Sequence, residues 1–196
     1  MSQQRDAATQ RAEPGMIESR TIFDGRIVHL SLDTVRFPDG STGEIEMIRH
    51  SGASAVLPLL DDPGHENPRV LLLRQYRYAT GGPLLEVPAG RPERPGEPWE
   101  TCARRELEEE AGLVAERMVH LTTIYTTPGF TDERIHLFLA WGVSDGTTRP
   151  DPDEFIEPVV LTLSEALEKV RRGEITDAKT ICTLFCAAEY LRTKEQ

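Results

Sequence analysis

The sequence predicts an α/β fold in which a mixed β-sheet is sandwiched between helices, with a small β unit at the N-terminal end. Three observations predict it. The first third of the 196 residues alternates and runs apolar in short stretches, as strands do. One charge-dense helix follows, and it is succeeded by more strands and then by two helices. That order permits a mixed sheet between helical layers.

Taken in order, residues 27–37 (IVHLSLDTVRF) alternate in part, PDGSTG makes a turn, and residues 44–49 form a second strand, together a hairpin-like unit. Residues 54–60 (SAVLPLL) and 69–77 (RVLLLRQYR) are apolar strand-type runs separated by the loop DDPGHENP. Residues 84–90 (LLEVPAG) make a further short strand. A helix is expected from about Pro98, with a proline at its first turn and Gly112 as its stop. Strands are expected near 117–126, 134–143 and 155–163, with the polar loops TPGFTDE and SDGTTRPDPDE between them. Thr162 and Glu165 form a capping-box pattern that opens a helix to Gly173. Asp177 caps a last helix whose apolar side carries Ile181, Leu184, Phe185 and Ala188. The expected organisation is a flexible tail over 1–16, a β unit over 17–50 and a catalytic domain over 51–196.

Composition narrows the function. A formal net charge of −11 offers no basic stripe for nucleic-acid phosphates. No apolar stretch approaches the roughly 20 residues that span a bilayer, and the polar N-terminal segment lacks the apolar core of a signal peptide. The three cysteines, Cys102, Cys182 and Cys186, are odd in number and lack metal-ligand spacing. Buried thiols in a reducing cytoplasm are therefore expected.

The segment from Gly90 to Leu113 (GRPERPGEPWETCARRELEEEAGL) carries seven glutamates. On a helical wheel with Glu106 at zero, Glu110 falls at about 40° and Glu109 at about 300°. The residues Trp99, Cys102, Ala103, Leu107 and Ala111 share that side, whereas Glu108, Arg104 and Thr101 lie opposite. Arg105 is expected to pair with Glu109 at i,i+4 and to lie well around the helix from Glu106 and Glu110. A solvated, ion-paired helix would keep its carboxylates opposite the apolar stripe. Inward carboxylates repel one another and lose hydration, a cost that divalent cations relieve. Mg²⁺ takes oxygen ligands and shares carboxylates with substrate phosphates, which would also reconcile an acidic protein with an anionic substrate.

Arg105 to Leu113 (RELEEEAGL) resembles the core of the Nudix box, Arg-Glu-apolar-x-Glu-Glu-x-Gly-apolar. Glu97 stands eight residues before Arg105, where the box has its first glutamate. The box's leading glycine would fall at Arg91, and the available glycine is Gly90, so the loop carries one extra residue. LLEVPAG, TPGFTDE with Pro128, and PDEFIE are similar to the ADP-ribose pyrophosphatase branch. The resemblance implies a Nudix-type sheet between helices, with metal held by Glu106, Glu109, Glu110 and the Ala89 carbonyl. It implies that Gly90, Glu97 and Arg105 support the loop, and that Arg77 and Glu133 contact substrate.

Glu109 and a loop acid form the implied catalytic set. Glu154 is the first choice of base and Asp153 the reserve, with Asp151 also in the loop, because Pro152 stands at one position where the branch often has glutamate. The implied reaction is Mg²⁺-dependent (or Mn²⁺-dependent) hydrolysis of a nucleoside diphosphate sugar, ADP-ribose first, giving AMP and ribose 5-phosphate. GDP-mannose, ADP-glucose, a dinucleoside polyphosphate, or a non-catalytic nucleotide sensor are the alternatives. The resemblance further implies a homodimer in which the N-terminal β unit crosses to the partner.

Overall fold

The structure is a computed structural model that describes residues 13–149 and 154–194. It contains ten strands and three α-helices among those residues. The chain divides into two compact units. The first comprises residues up to His50 together with Thr127–Asp132, and the second comprises Ser51–Thr126 and Glu133 onward.

In the first unit β1 (Gly15–Asp24), β2 (His29–Arg36) and β3 (Thr42–Arg49) form an antiparallel sheet in that order. Strand β1 has no counterpart in the sequence reading. All ten of its residues are exposed, so it lacks the inside–outside alternation that betrays a half-buried strand. The PDGSTG turn is as expected: the Phe37 N–H donates to the Ser41 carbonyl at 2.8 Å, and Gly40 takes φ +90°, open chiefly to glycine. The segment 127–132 belongs here because it bonds along β3. The Ile48 N–H donates to the Phe130 carbonyl at 2.7 Å, and the His50 N–H donates to Asp132 Oδ1 at 2.8 Å.

The second unit is built on β4 (Ala53–Pro58), all six residues of which are buried. A continuous apolar run is what a strand covered on both faces requires. It lies between β7 (Ala89–Gly90) and β9 (Arg134–Asp145), and β8 (Leu113–Tyr125) follows β9. Strands β4 and β9 pair in parallel and the other neighbours are antiparallel, which makes the sheet mixed. A second antiparallel sheet has the order β10 (Ile156–Thr162), β5 (Arg69–Arg77), β6 (Gly82–Glu86).

Period-two alternation sends the side chains of the central strands to two cores. On one face Val56, Phe138 and Ala140 pack under Ala103 and Leu107 of α1 (Trp99–Ala111). On the other, Ala55, Leu57, Leu137 and Leu139 meet Leu184, Ala187 and Leu191 of α3 (Ala178–Lys194), together with Ala166 of α2 (Leu163–Arg171). The mixed sheet thus lies between helices, as the sequence predicts.

The helix boundaries follow their caps. Gly112 closes α1 in the left-handed region at φ +64°, its N–H donating to the carbonyls of Glu108 and Leu107. Thr162 and Glu165 make both bonds of a capping box at the start of α2. Asp177 Oδ2 accepts from the Thr180 N–H at 3.0 Å where α3 begins. The apolar side of α3 differs from expectation at one residue. Thr180, Thr183, Leu184, Ala187 and Leu191 are buried, and Phe185 is half exposed. Phe185 lies about 100° around the helix from Leu184, off the face that the sheet covers.

Candidate active site

The site begins with α1. Its N-terminal end follows Pro98, whose carbonyl accepts from the Cys102 N–H at 3.0 Å. From there the 3.6-residue repeat turns Cys102, Ala103, Glu106, Leu107 and Glu110 inward. Glu106 is 9% exposed and Glu110 6%, while Glu109 is partly exposed. The inward turn of two carboxylates that the wheel predicts is therefore present.

Opposite them runs β7, a strand of two residues held to β4 by the pairs Ala55–Ala89 and Ser54–Gly90. The Ala89 N–H donates to Glu110 Oε2 at 2.8 Å. A Cβ at Gly90 would lie 2.0 Å from Glu106 Oε1, so any side chain there would force the Glu106 carboxylate to move. The glycine displaced by one position from the box pattern thus sits against the carboxylate it must accommodate. The extra residue of the loop falls between Gly90 and Glu97.

Arg105 departs from its predicted placement. It reaches Glu109 Oε2 at 2.8 Å as expected, but also Glu106 Oε1 at 2.8 Å. Its position on the wheel points elsewhere, yet a long flexible side chain folds back over the helix. Its Nη2 donates to the Arg91 carbonyl at 2.8 Å, and its Nε lies 3.7 Å from Glu97 and 3.9 Å from Glu93. That Nε is buried without a hydrogen-bond partner, so the brace from helix to loop is an ion pair there. Glu97 completes the brace by accepting from the Glu93 N–H at 2.8 Å.

Burial dominates the titration of the two inward acids. It pushes Glu106 up to about 7, with Glu109 and Glu154 adding to the rise and Arg105 opposing it. It pushes Glu110 up to about 8 against the Ala89 N–H, with Glu106 and Glu154 again adding. Glu154 therefore lies within electrostatic reach of both. Asp151 and Asp153 lie outside the described residues.

Arg77 ends β5, and its field acts on Glu110 as well. Its guanidinium is clamped to Glu86, a buried acid that the sequence reading passed over. Glu133 is held by Thr126, whose hydroxyl donates to Glu133 Oε2 at 2.8 Å where β8 turns into β9. It is three residues before His136, which is level with Ser54 and hence with Gly90. Glu133 thus belongs to the same end of the sheet as β7 but not to the carboxylate cluster itself.

A model of the NUDIX domain matches residues 49–184, most of the chain. The chain belongs to the Nudix family. It is 40% identical over 185 residues to the methanol dehydrogenase activator of Bacillus methanolicus, covering 93% of this chain and 95% of that one. It is 37% identical over 185 residues to the ADP-ribose pyrophosphatase of Bacillus subtilis (strain 168), with the same coverage. The crystal structure of an ADP compounds hydrolase superposes with a TM-score of 0.78 at 21% identity, covering 93% of this chain and 96% of that one, a likeness of fold.

Nudix hydrolases generally need divalent metal ions. Among the described residues no three His, Cys, Asp or Glu side chains converge as a ready metal cage. The donors present nevertheless fit a hard cation. They are oxygens, two of them belong to carboxylates deprived of water, and Gly90 leaves the space beside Glu106 free of a side chain.

A pH dependence follows. Glu106 and Glu110 have folded-state values raised above 4.5, so the native state retains protons that the unfolded chain releases between about pH 4.5 and 8. Their contribution to stability is complete below that window and is lost as pH rises through it. Asp33 and Glu86 are shifted down and lose their contributions only at lower pH. In chelator, the thermal midpoint is expected to fall from pH 5 to pH 8, and excess Mg²⁺ at pH 8 to restore it. A midpoint that is flat with pH and indifferent to Mg²⁺ would contradict the inward acids as a cation site.

Proposed function

We propose that this Nudix protein hydrolyses the pyrophosphate bond of a nucleoside diphosphate sugar, ADP-ribose above others, with Glu106, Glu109, Glu110 and the Ala89 carbonyl holding Mg²⁺. The observation that carries the reading is the pair of buried, desolvated carboxylates on α1 facing the Ala89–Gly90 strand. Structural ion pairs have no need of a glycine that keeps a Cβ away from a carboxylate. The 37% identity to an ADP-ribose pyrophosphatase over nearly the whole chain supports the substrate class.

Bound Mg²⁺ supplies neutralisation of the diphosphate and acidification of the attacking water. The remaining work falls to the chain. Glu154 takes the proton of the water whose oxygen attacks phosphorus, the bridging P–O bond breaks, and AMP and ribose 5-phosphate leave. Arg77 offers its exposed edge to the anionic substrate, and Glu133 meets the distal ribose. Arg105 and Glu97 keep the loop 91–98 fixed to α1, so that the acids do not move as charge develops.

The N-terminal β unit is assigned to dimer formation. Strand β1 displays Met16, Ile17, Ile22 and Phe23, each about half exposed or more, along an otherwise solvated strand. Apolar side chains grouped this way mark an interaction surface.

Four outcomes are expected. Incubated with ADP-ribose, the protein yields AMP and ribose 5-phosphate with Mg²⁺ and neither with EDTA. Glu110→Gln, which keeps the side-chain volume, abolishes this turnover, and survival within about tenfold, ~1.4 kcal/mol of barrier, would contradict the metal assignment. Faster release from GDP-mannose or ADP-glucose would transfer the reading to another sugar nucleotide. Glu154→Gln lowers kcat by about 10²–10⁴-fold with substrate affinity nearly unchanged, and the same loss from Asp153→Asn alone would move the base there. In light scattering the chain runs as a dimer and Phe23→Asp shifts it toward monomer; an unchanged mass would remove β1 from the interface.

A further inference from the structure

Behind Arg77 lies a charge cluster that joins three elements distant in sequence. Glu86, 1% exposed at the end of β6, accepts from Arg77 through both carboxylate oxygens, Nε to Oε1 at 2.9 Å and Nη2 to Oε2 at 2.8 Å. Its Oε2 also accepts from Lys179 Nζ at 2.5 Å. Lys179 in turn lies 3.1 Å from Asp177, the residue that caps α3. One residue on, the Val87 N–H donates to Thr180 Oγ1 at 2.9 Å, and that hydroxyl donates to Asp177 Oδ2 at 2.6 Å. The end of β6 is thus stitched to the start of α3 through Glu86 and again through Val87.

Exposure separates the two cations. The Arg77 side chain is 40% exposed and that of Lys179 is 13%. A buried carboxylate needs a counter-charge, and a single bidentate arginine would supply it by spending its own charge inside the protein. With Lys179 seated on Oε2, one cation neutralises Glu86 from within. Asp177 beside Lys179 offsets the second cation, so the four groups carry no net charge, and Arg77 is the cation that reaches solvent and whose field acts on Glu110. Burial alone would raise the Glu86 carboxyl, and the two cations together turn it below its ordinary value.

We infer that Lys179, acting through Glu86, is a positioning residue for Arg77: it shares the buried carboxylate and so fixes the direction in which the guanidinium faces the diphosphate of the substrate. This rests on the reading of Arg77 as a substrate contact given above. Lys179 touches no substrate. Its effect is to hold in a fixed direction a cation other than Arg105, which is taken up by Glu106 and Glu109.

The test is a double-mutant cycle on steady-state hydrolysis of ADP-ribose with Mg²⁺. Lys179→Met raises KM about tenfold, the size of one contact to a charged group, while kcat stays within about threefold. Lys179→Arg recovers most of the loss. In an Arg77→Ala background, Lys179→Met adds nothing further to KM. An unchanged KM in Lys179→Met, or the same rise in the presence and absence of Arg77, would overturn the assignment, whatever the melting temperature does. If Lys179→Met fails to fold, Lys179→Gln takes its place in the cycle. If the unmodified protein leaves ADP-ribose intact, the substrate reading fails separately, and ¹⁵N spectra of the Arg77 Nε–H decide the positioning. A shift of that signal in Lys179→Met that Lys179→Arg reverses is expected, and an unmoved signal would overturn it.

Discussion

Two carboxylates turned toward the inside of the protein set the terms for everything around them. Glu106 and Glu110 lie on the face of α1 that packs on the sheet, in line with Ala103 and Leu107, and they lose water there without gaining a cation of matching burial. The surrounding features answer that cost. The Ala89 N–H is aimed at Glu110, Arg105 reaches across to Glu106, and Gly90 stands aside for it. None of these is sufficient, since both acids remain displaced far toward their neutral forms. A site that is uncomfortable by itself is one completed by what it binds.

The fold makes such an arrangement affordable by fixing both sides of it. Strand β4, buried along its whole length, locates β7 on one edge and β9 on the other, while α1 packs on the same strand through Val56. Helix and two-residue strand are therefore referred to one rigid element, and Ala89 cannot drift from Glu110 without disturbing the core. The second sheet brings Arg77 and Glu86 up from β5 and β6, and α3 secures them through Asp177, Lys179 and Thr180. Core and chemistry share the same strands.

What the sequence disclosed depended on how local the controlling physics was. The inward turn of Glu106 and Glu110 was legible because helical geometry alone decides it. The caps at Gly112, Thr162 and Asp177 were legible for the same reason, each being a contact within a few residues. Strand β1 was not, since an exposed strand carries no alternation, and Phe185 was misplaced because the docked face of α3 is chosen by the sheet. Arg105 was read by the position of its Cα, whereas its guanidinium goes where charge draws it. The Glu86–Lys179 contact spans 93 residues, and no local pattern announces it.

The loop between Gly90 and Glu97 carries one residue more than the box pattern, and the site is undisturbed. It is anchored at one end by the pairing of Gly90 with Ser54 and at the other by the hold of Arg105 on Glu97. What lies between is held as well, the Arg91 carbonyl accepting from Arg105 Nη2 and the Glu93 N–H donating to Glu97. The added residue is therefore absorbed within a loop tied down at its ends and along its length, and a search pattern demanding a fixed count between the glycine and the first glutamate would pass over this chain.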